Sequence, residues 1–159
     1  MGFIKWQEEF QTGHTEVDEQ HRKLLNTLND IHFLINTRID FRKLKEIIFF
    51  LNDYIIEHFG TEEKLMQESS GLPKALHKLH LKEHRFFIDK IQEFSSFLEI
   101  QEPFDEGDQK KQQDIFTYAS KLFEFLGRWF AHHILEIDKK TMRYILAQPT
   151  GQPESSKWV

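Results

Sequence analysis

Residues 44–66 read Leu44-Lys-Glu-Ile47-Ile48-Phe-Phe-Leu51-Asn-Asp-Tyr-Ile55-Ile-Glu-His58-Phe-Gly-Thr-Glu62-Glu-Lys-Leu-Met66, and this stretch decides the fold. Its aliphatic residues recur at steps of three and four, which predicts an amphipathic α-helix with one face in a core. His58 and Glu62 fall on the same apolar stripe. Because a buried imidazole or carboxylate without a partner is costly, both groups must find partners inside the protein.

Three further segments show the same helical period, and each also carries histidine on its apolar stripe. We expect the four helices over residues 17–37, 41–67, 74–100 and 113–146. Asp40 is placed to cap the second helix, and Ser69-Ser-Gly-Leu-Pro73 breaks the chain after it. Because the connections are short, the economical fold is all-α, an antiparallel up-down-up-down four-helix bundle.

The segments outside the helices suggest how the chain is organised. A short N-terminal arm, residues 1–13, carries Trp6 and Phe10, and we expect its aromatic side chains to pack against the bundle. Residues 101–112 are the most loop-like interior stretch, and the sequence assigns them no role. We expect one bundle domain over residues 1–148 and a disordered tail over 149–159.

The composition excludes several classes of function. A chain of 159 residues with 39% hydrophobic and 30% charged residues fits one globular domain. It has no cysteine, so a thiolate metal site is impossible. Its net charge of −5 argues against binding to nucleic acid, and no apolar run approaches the ~20 residues that span a bilayer. The first residues lack the pattern of a secretory signal, so we expect a cytoplasmic protein.

Seven polar residues form four groups, one on each helix, and they offer only nitrogen and carboxylate ligands: His21; His58 and Glu62; His80 and His84; His133 and Asp138. A four-residue step leaves helical neighbours about 40° apart, so each such pair shares a face. The five-residue step to Asp138 turns about 140°, so Asp138 can join only if the helix is locally distorted or its side chain reaches around. Seven ligands are too many for one zinc ion and suit two iron ions in a helical bundle.

Four motifs carry these residues in order along the chain: Val17-Asp-Glu-Gln-His21, His58-Phe-Gly-Thr-Glu62, His80-Leu-Lys-Glu-His84 and His133-Ile-Leu-Glu-Ile-Asp138. With Trp6 near the start, they resemble the hemerythrin family, in particular its single-domain bacterial members, the bacteriohemerythrins. That family has a histidine on its first helix, then HxxxE, HxxxH and HxxxxD. The five-residue step to Asp138 is the family's own.

The resemblance implies a centre of two iron ions (Fe2+/Fe3+) bridged by Glu62, Asp138 and an oxo or hydroxo group. It implies that His80, His84 and His133 complete a six-coordinate iron. His21 and His58 would serve the other iron, which keeps an open position for dioxygen.

The resemblance also points to an oxygen pocket, because Trp129, Phe130 and Ile134 match positions that line it in the family. An apolar pocket makes physical sense, since it keeps water and protons away from bound oxygen.

Some polar residues stay outside this assignment. His77 competes with His80 for the third helix, but its partner four residues on would be Leu81, so we choose the pair His80 and His84. His14, His32 and His132 are unassigned. We read Glu63, Glu83 and Glu136 as solvated, whereas Asp18 and Gln20 flank His21 and could contact the ligands from outside.

Three main functions remain open on the sequence alone, beside zinc binding or the sequestration of structural iron. The first is reversible dioxygen binding without catalysis, for oxygen carriage, storage or delivery. The second is a di-iron oxidase or peroxidase, which the excess of histidine over carboxylate disfavours. The third is oxygen or redox sensing, which would need a separate protein partner, since nothing here resembles a fused output domain.

Overall fold

A computed structural model describes residues 2–147 and consists of helices joined by short connections. Helix α1 spans Thr15–Asn36, and helix α3 spans Lys74–Ile100. Helix α2 covers residues 41–68 and helix α4 covers residues 109–146, each with an internal π-helical segment. Helix α1 lies against α2 and α4, and α2 lies against α3. The expected all-α four-helix bundle is confirmed, whereas the tail expected over residues 149–159 lies outside the described residues.

Helix starts follow their capping residues. Asp40 accepts hydrogen bonds from the backbone N–H groups of Arg42 and Lys43, as expected, so α2 begins at Phe41. The loop expected over residues 101–112 is shorter than predicted, because Asp108 accepts from the N–H groups of Lys110 and Lys111. The cap starts α4 at Gln109, four residues before the expected position.

Helix α4 departs from α-helical geometry where it carries its polar residues. It is α-helical over Gln109–Trp129, π-helical over Phe130–Asp138 and α-helical again over Lys139–Leu146. Helix α2 contains a shorter π-helical segment, Ile55–Phe59. In a π-helix the backbone bonds join residues five apart, so a five-residue step brings two side chains one above the other.

The N-terminal arm packs against the bundle as expected. The Phe10 ring meets the Phe130 ring edge-on, at 5.4 Å between centroids, and Trp6 packs on Phe10 in the same way. The backbone of Ile4 exchanges two 2.8 Å hydrogen bonds with the side chain of Asn29. The arm therefore covers the region of α4 around Phe130.

The apolar core occupies the centre of the bundle on one side of the polar cluster. Helices α1 and α3 contribute Leu24, Leu28, Phe87 and Ile91, all with no exposed surface. The core is contiguous and rich in aromatic rings, and it holds the four helices at the spacing the polar cluster needs. No helix within residues 2–147 is both long and apolar enough to cross a lipid bilayer.

Candidate metal centre

All seven residues singled out from the sequence meet in the interior of the bundle. Their side chains have almost no exposed surface, at most 1%. They form two groups, Glu62, His80, His84, His133 and Asp138, and His21, His58, Glu62 and Asp138, within each of which the ligand atoms lie within 4.8 Å of one another. Glu62 and Asp138 belong to both groups. The ligand roles remain a prediction, but the juxtaposition they require is present.

Asp138 lies between the two groups and turns one oxygen to each. Its Oδ1 is 3.0 Å from His80 Nε2 and 2.9 Å from His133 Nε2. Its Oδ2 is 2.9 Å from His21 Nε2 and 3.8 Å from His58 Nε2. The π-helical segment that ends at Asp138 provides the local distortion that the five-residue step required.

Glu62 approaches both groups through one oxygen. Its Oε2 is 3.4 Å from His58 Nε2, 3.2 Å from His80 Nε2 and 3.1 Å from His84 Nε2. Its second oxygen, Oε1, is buried and has no hydrogen-bond partner among the described residues. Glu62 Oε1 is therefore left without a hydrogen-bond donor inside the cluster.

The donor set fits metal ions. Ligand atoms about 2.1 Å from one ion and at right angles are about 3.0 Å apart, which is the spacing seen between these nitrogens and oxygens. His58 Nε2, His133 Nε2 and Asp138 Oδ1 are buried without a hydrogen-bond partner in the described part of the chain. Buried polar atoms are normally satisfied, so unpaired nitrogen and oxygen atoms gathered at one place suit the binding of a cation.

Four of the five imidazoles are held from outside through Nδ1. His58 Nδ1 donates to Gln20 Oε1 at 2.7 Å, and His80 Nδ1 lies 2.9 Å from the hydroxyl of Thr141. His84 and His133 donate to Glu63 at 2.9 Å and to Glu83 at 2.5 Å. Metal-binding histidines usually use their second nitrogen in this way, because the contact fixes the ring and its tautomer. His21 Nδ1 has no such partner within residues 2–147.

These contacts correct the solvated role expected for Glu63 and Glu83. Sequence spacing could not reveal them, because each glutamate is partly buried by its contact with a histidine of another helix. Glu136 does face solvent and pairs with His132. Gln20 contacts His58 and not its neighbour His21, while Asp18 accepts from Thr12.

The charges of the cluster compensate one another. Burial disfavours ionisation of Glu62 and Asp138, but the surrounding imidazoles outweigh it and hold both pKa values below their usual range. Burial also opposes a charged His80, yet the carboxylates of Asp138 and Glu62, 3.0 Å and 3.2 Å from its Nε2, raise its pKa to about 10. Burial lowers the pKa of His58. Without metal, protons on imidazole therefore neutralise the two carboxylates.

Apolar and aromatic side chains enclose the cluster. The Trp129 ring stacks on His133 at 3.9 Å, and the Phe59 ring stacks on His84 at 3.8 Å. Trp129, Phe130 and Ile134, the three expected pocket residues, are all buried. This surrounding is dry and strengthens electrostatic interactions within the cluster.

Tyr54 is a buried neighbour that the helical stripe did not single out. Its ring stacks on His58 at 4.8 Å, and its hydroxyl has no hydrogen-bond partner among the described residues. Burial, together with the charges of Asp138 and Glu62, raises the pKa of Tyr54 well above its usual value, so the hydroxyl keeps its proton. Tyr54 lies three residues after Leu51 and four before His58, so regular helical steps place it on their buried face, whereas Ile55 is half-buried.

The remaining histidines lie outside both groups. His77 is half-buried and joins neither group, which favours the choice of His80 and His84. His14 accepts a hydrogen bond from Val17 N at the start of α1, and His32 stacks on Phe3. His132 is 60% exposed and pairs with Glu83 and Glu136.

Known proteins are similar to this chain over most of its length. The family model described as Hemerythrin HHE cation binding domain matches residues 12–145. A bacteriohemerythrin from Clostridium acetobutylicum is 30% identical over 138 residues, covering 85% of this chain and 95% of that protein. One from Stenotrophomonas maltophilia is 30% identical over 134 residues, covering 84% of this chain and 76% of that protein. One from Methylococcus capsulatus is 28% identical over 142 residues, covering 87% of this chain and 94% of that protein.

Proposed function

Because this chain belongs to the hemerythrin family, we propose that it binds dioxygen reversibly at a non-haem di-iron centre. The observation that carries the proposal is the sharing of Glu62 and Asp138 by two buried groups of ligands. Two ions held by common carboxylates would use such sharing, whereas one ion would not need seven ligands.

The two groups differ in size, which supports an open position at one ion only. One group offers five ligands and the other four, counting the shared carboxylates in both. The first ion would be held by three histidines and the two shared carboxylates, and the second by His21, His58 and the same carboxylates. The open position would lie at the ion held by His21 and His58. Two ferrous ions would supply the two electrons that retain dioxygen reversibly.

The protein's own residues would protect this chemistry. Asp138, with one oxygen toward each group, would keep the two ions together. The side chains on Nδ1 of four histidines would hold the rings in place. The buried walls around Trp129, Phe130 and Ile134 would exclude water and protons, which promote loss of bound oxygen.

We further propose that the chain is an oxygen-binding protein and not an enzyme. Five imidazoles against two carboxylates give little anionic charge to stabilise highly oxidised iron. Ferritin-like di-iron proteins instead carry Glu-x-x-His motifs, and no histidine in this sequence has glutamate three residues before it. A cytoplasmic location and dioxygen as the partner belong to this proposal, while sensing through a protein partner is the alternative.

Reversible oxygenation of iron-loaded protein tests the proposal. We expect two irons per chain after anaerobic loading and an optical spectrum that alternates between two forms as air and nitrogen are exchanged. Asp138→Asn should abolish this cycle, whereas Asp114→Asn, on the exposed side of α4, should leave it intact. Continuous consumption of dioxygen in the presence of a reductant would instead assign an oxidase or peroxidase.

A further inference from the structure

A surface groove between α3 and α4 lies directly behind the candidate metal centre. It has a volume of about 760 Å³, and Leu79, Phe86, Phe125 and Trp129 supply its apolar floor. Phe86 and Leu79 are 53% and 42% exposed, so large apolar surface is open to water at one place. Apolar concavities of about 300–1,000 Å³ are typical of small-molecule sites. We call this feature the back groove.

The floor of the back groove is aromatic. The Phe86 and Phe125 rings are 6.0 Å apart at an interplanar angle of 60°, and the Lys90 ammonium lies 6.0 Å from the Phe86 ring centre. Ring faces bind planar aromatic groups.

The walls of the back groove carry uncompensated positive charge. Lys82 lies on α3 and Lys121 on α4, and neither forms an ion pair within residues 2–147. The two acidic residues of the groove are already engaged, because Glu124 pairs with Arg128 at 2.7 Å and Glu83 pairs with His132 and His133. Free cations on both walls are unexpected in a chain with a net charge of −5, and they complement an anion.

We propose that the back groove is a binding site for a planar aromatic anion, a fused-ring compound bearing a phosphate or carboxylate. Its rings would lie on Phe86 and Phe125, and its charged group would reach Lys82 or Lys121, which line opposite ends of the groove. A groove of this volume and aromatic character suits a small molecule better than an acidic protein or a second copy of the chain.

A ligand in the back groove would contact residues that touch the candidate metal centre, although the ligand would not enter the centre itself. Trp129 lines the back groove on one side and stacks on His133 at 3.9 Å on the other. Glu83 also lines the groove and accepts a hydrogen bond from His133 Nδ1. Binding in the back groove requires neither iron nor dioxygen. The binding site can therefore be tested independently of the proposed function.

Three probes separate the two recognition features. Flavin mononucleotide carries both the fused ring and the anion, riboflavin carries the ring alone, and inorganic phosphate carries the anion alone. Equilibrium dialysis with iron-loaded protein should show one saturable site for flavin mononucleotide, weaker binding of riboflavin and none of phosphate. The same order should hold for metal-free protein. Binding of flavin mononucleotide, but not of riboflavin, should weaken as salt is raised.

Variants separate the two parts of the site. Lys82→Glu with Lys121→Glu should weaken flavin mononucleotide about tenfold or more and leave riboflavin unchanged. The matched control, Lys74→Glu with Lys110→Glu, alters charge equally on the same two helices outside the groove and should change neither ligand. Phe86→Ala, at a half-exposed position that does not threaten folding, should weaken both.

Two results would overturn the proposal. One is equal affinity of the two double variants for flavin mononucleotide, which would make the binding nonspecific. The other is a change in sedimentation of the Lys82 and Lys121 variant without a change in flavin binding, which would assign the groove to protein association.

Discussion

His80 stands where the two shared carboxylates come together. Its Nε2 is 3.2 Å from Glu62 Oε2 and 3.0 Å from Asp138 Oδ1, while its Nδ1 contacts Thr141. His77, one turn earlier, joins neither group of ligands. Two histidines three residues apart therefore occupy different environments.

Replacing these two histidines separately tests the ligand assignment on α3. His80→Ala should lower the iron content below that of the unaltered protein, because one ion loses a nitrogen ligand and both carboxylates lose a neighbour. His77→Ala should keep the full content. Iron measured by elemental analysis after anaerobic loading decides the matter, and iron lost with His77 but kept with His80 would reverse the assignment.

Tyr54 offers a test of the cost of an unpaired buried hydroxyl. Tyr54→Phe should raise the free energy of unfolding of the metal-free protein by about 1 kcal/mol, because it removes a polar group that has no partner. Tyr118→Phe is the matched control, since the Tyr118 hydroxyl donates to Phe94 O at 3.0 Å. That change should lower stability by about 1 kcal/mol. Urea unfolding measures both, and the same sign for the two variants would contradict the reasoning.

Sequence reasoning reached the residues of the site unequally. Helical phase alone predicted that His21, His58 and His133 lie inward, because each continues an apolar stripe. Asp138 needed the family resemblance, since regular helical geometry turns it away from His133. Glu83 and Tyr54 escaped prediction: Glu83 reaches a histidine of another helix, and an apolar stripe that runs through Ile55 leaves out the neighbouring Tyr54.

At the scale of elements, both shared carboxylates are associated with π-helical segments. Glu62 follows the Ile55–Phe59 segment by three residues, and Asp138 ends the Phe130–Asp138 segment. Propensity and periodicity predict a helix throughout both regions and contain no signal for the change of hydrogen-bond pattern. The bounds of α3 matched their prediction, whereas the start of α4 did not, because the cap at Asp108 was overlooked.

The cap of α4 can be tested by one substitution. Asp108→Ala should lower the free energy of unfolding by about 1 kcal/mol, because two N–H groups of the first turn lose their acceptor. Asp114→Ala, at an exposed position inside the helix, should change it by less than about 0.5 kcal/mol. Chemical unfolding followed by circular dichroism compares the two. Equal effects would show that Asp108 does not act as a cap.

At the scale of the whole molecule, the protons of the metal-free cluster link stability to pH. His80 has a pKa raised to about 10, and that of His133 is also raised, so their contribution is complete below about pH 6.5. This stabilising contribution is lost as the pH rises through the pKa values that the two histidines have in the folded protein. The lowered pKa values of Glu62 and Asp138 act at the acid end, where stability falls as these carboxylates are protonated.

We therefore expect the metal-free protein to melt at a lower temperature as pH is raised from about 6.5 to 10, by at least about 3 °C. The metal-loaded protein should change much less over this range, because the ions replace the protons. Thermal unfolding with and without chelator provides the comparison. Parallel curves for the two forms would exclude the cluster as the source of the pH dependence.

The five histidine rings of the cluster are not held equally firmly, because His21 Nδ1 has no hydrogen-bond partner among the described residues. Rings held at both nitrogens, such as His80 and His84, cannot rotate about the Cβ–Cγ bond without breaking a hydrogen bond. His21 is held at Nε2 alone within residues 2–147. It is therefore the one ring of the five without a hydrogen bond to a side chain outside the cluster among the described residues, and it lies in the four-ligand group. A ligand arriving on that side can be accommodated by the swing of one ring, while the four helices keep their positions.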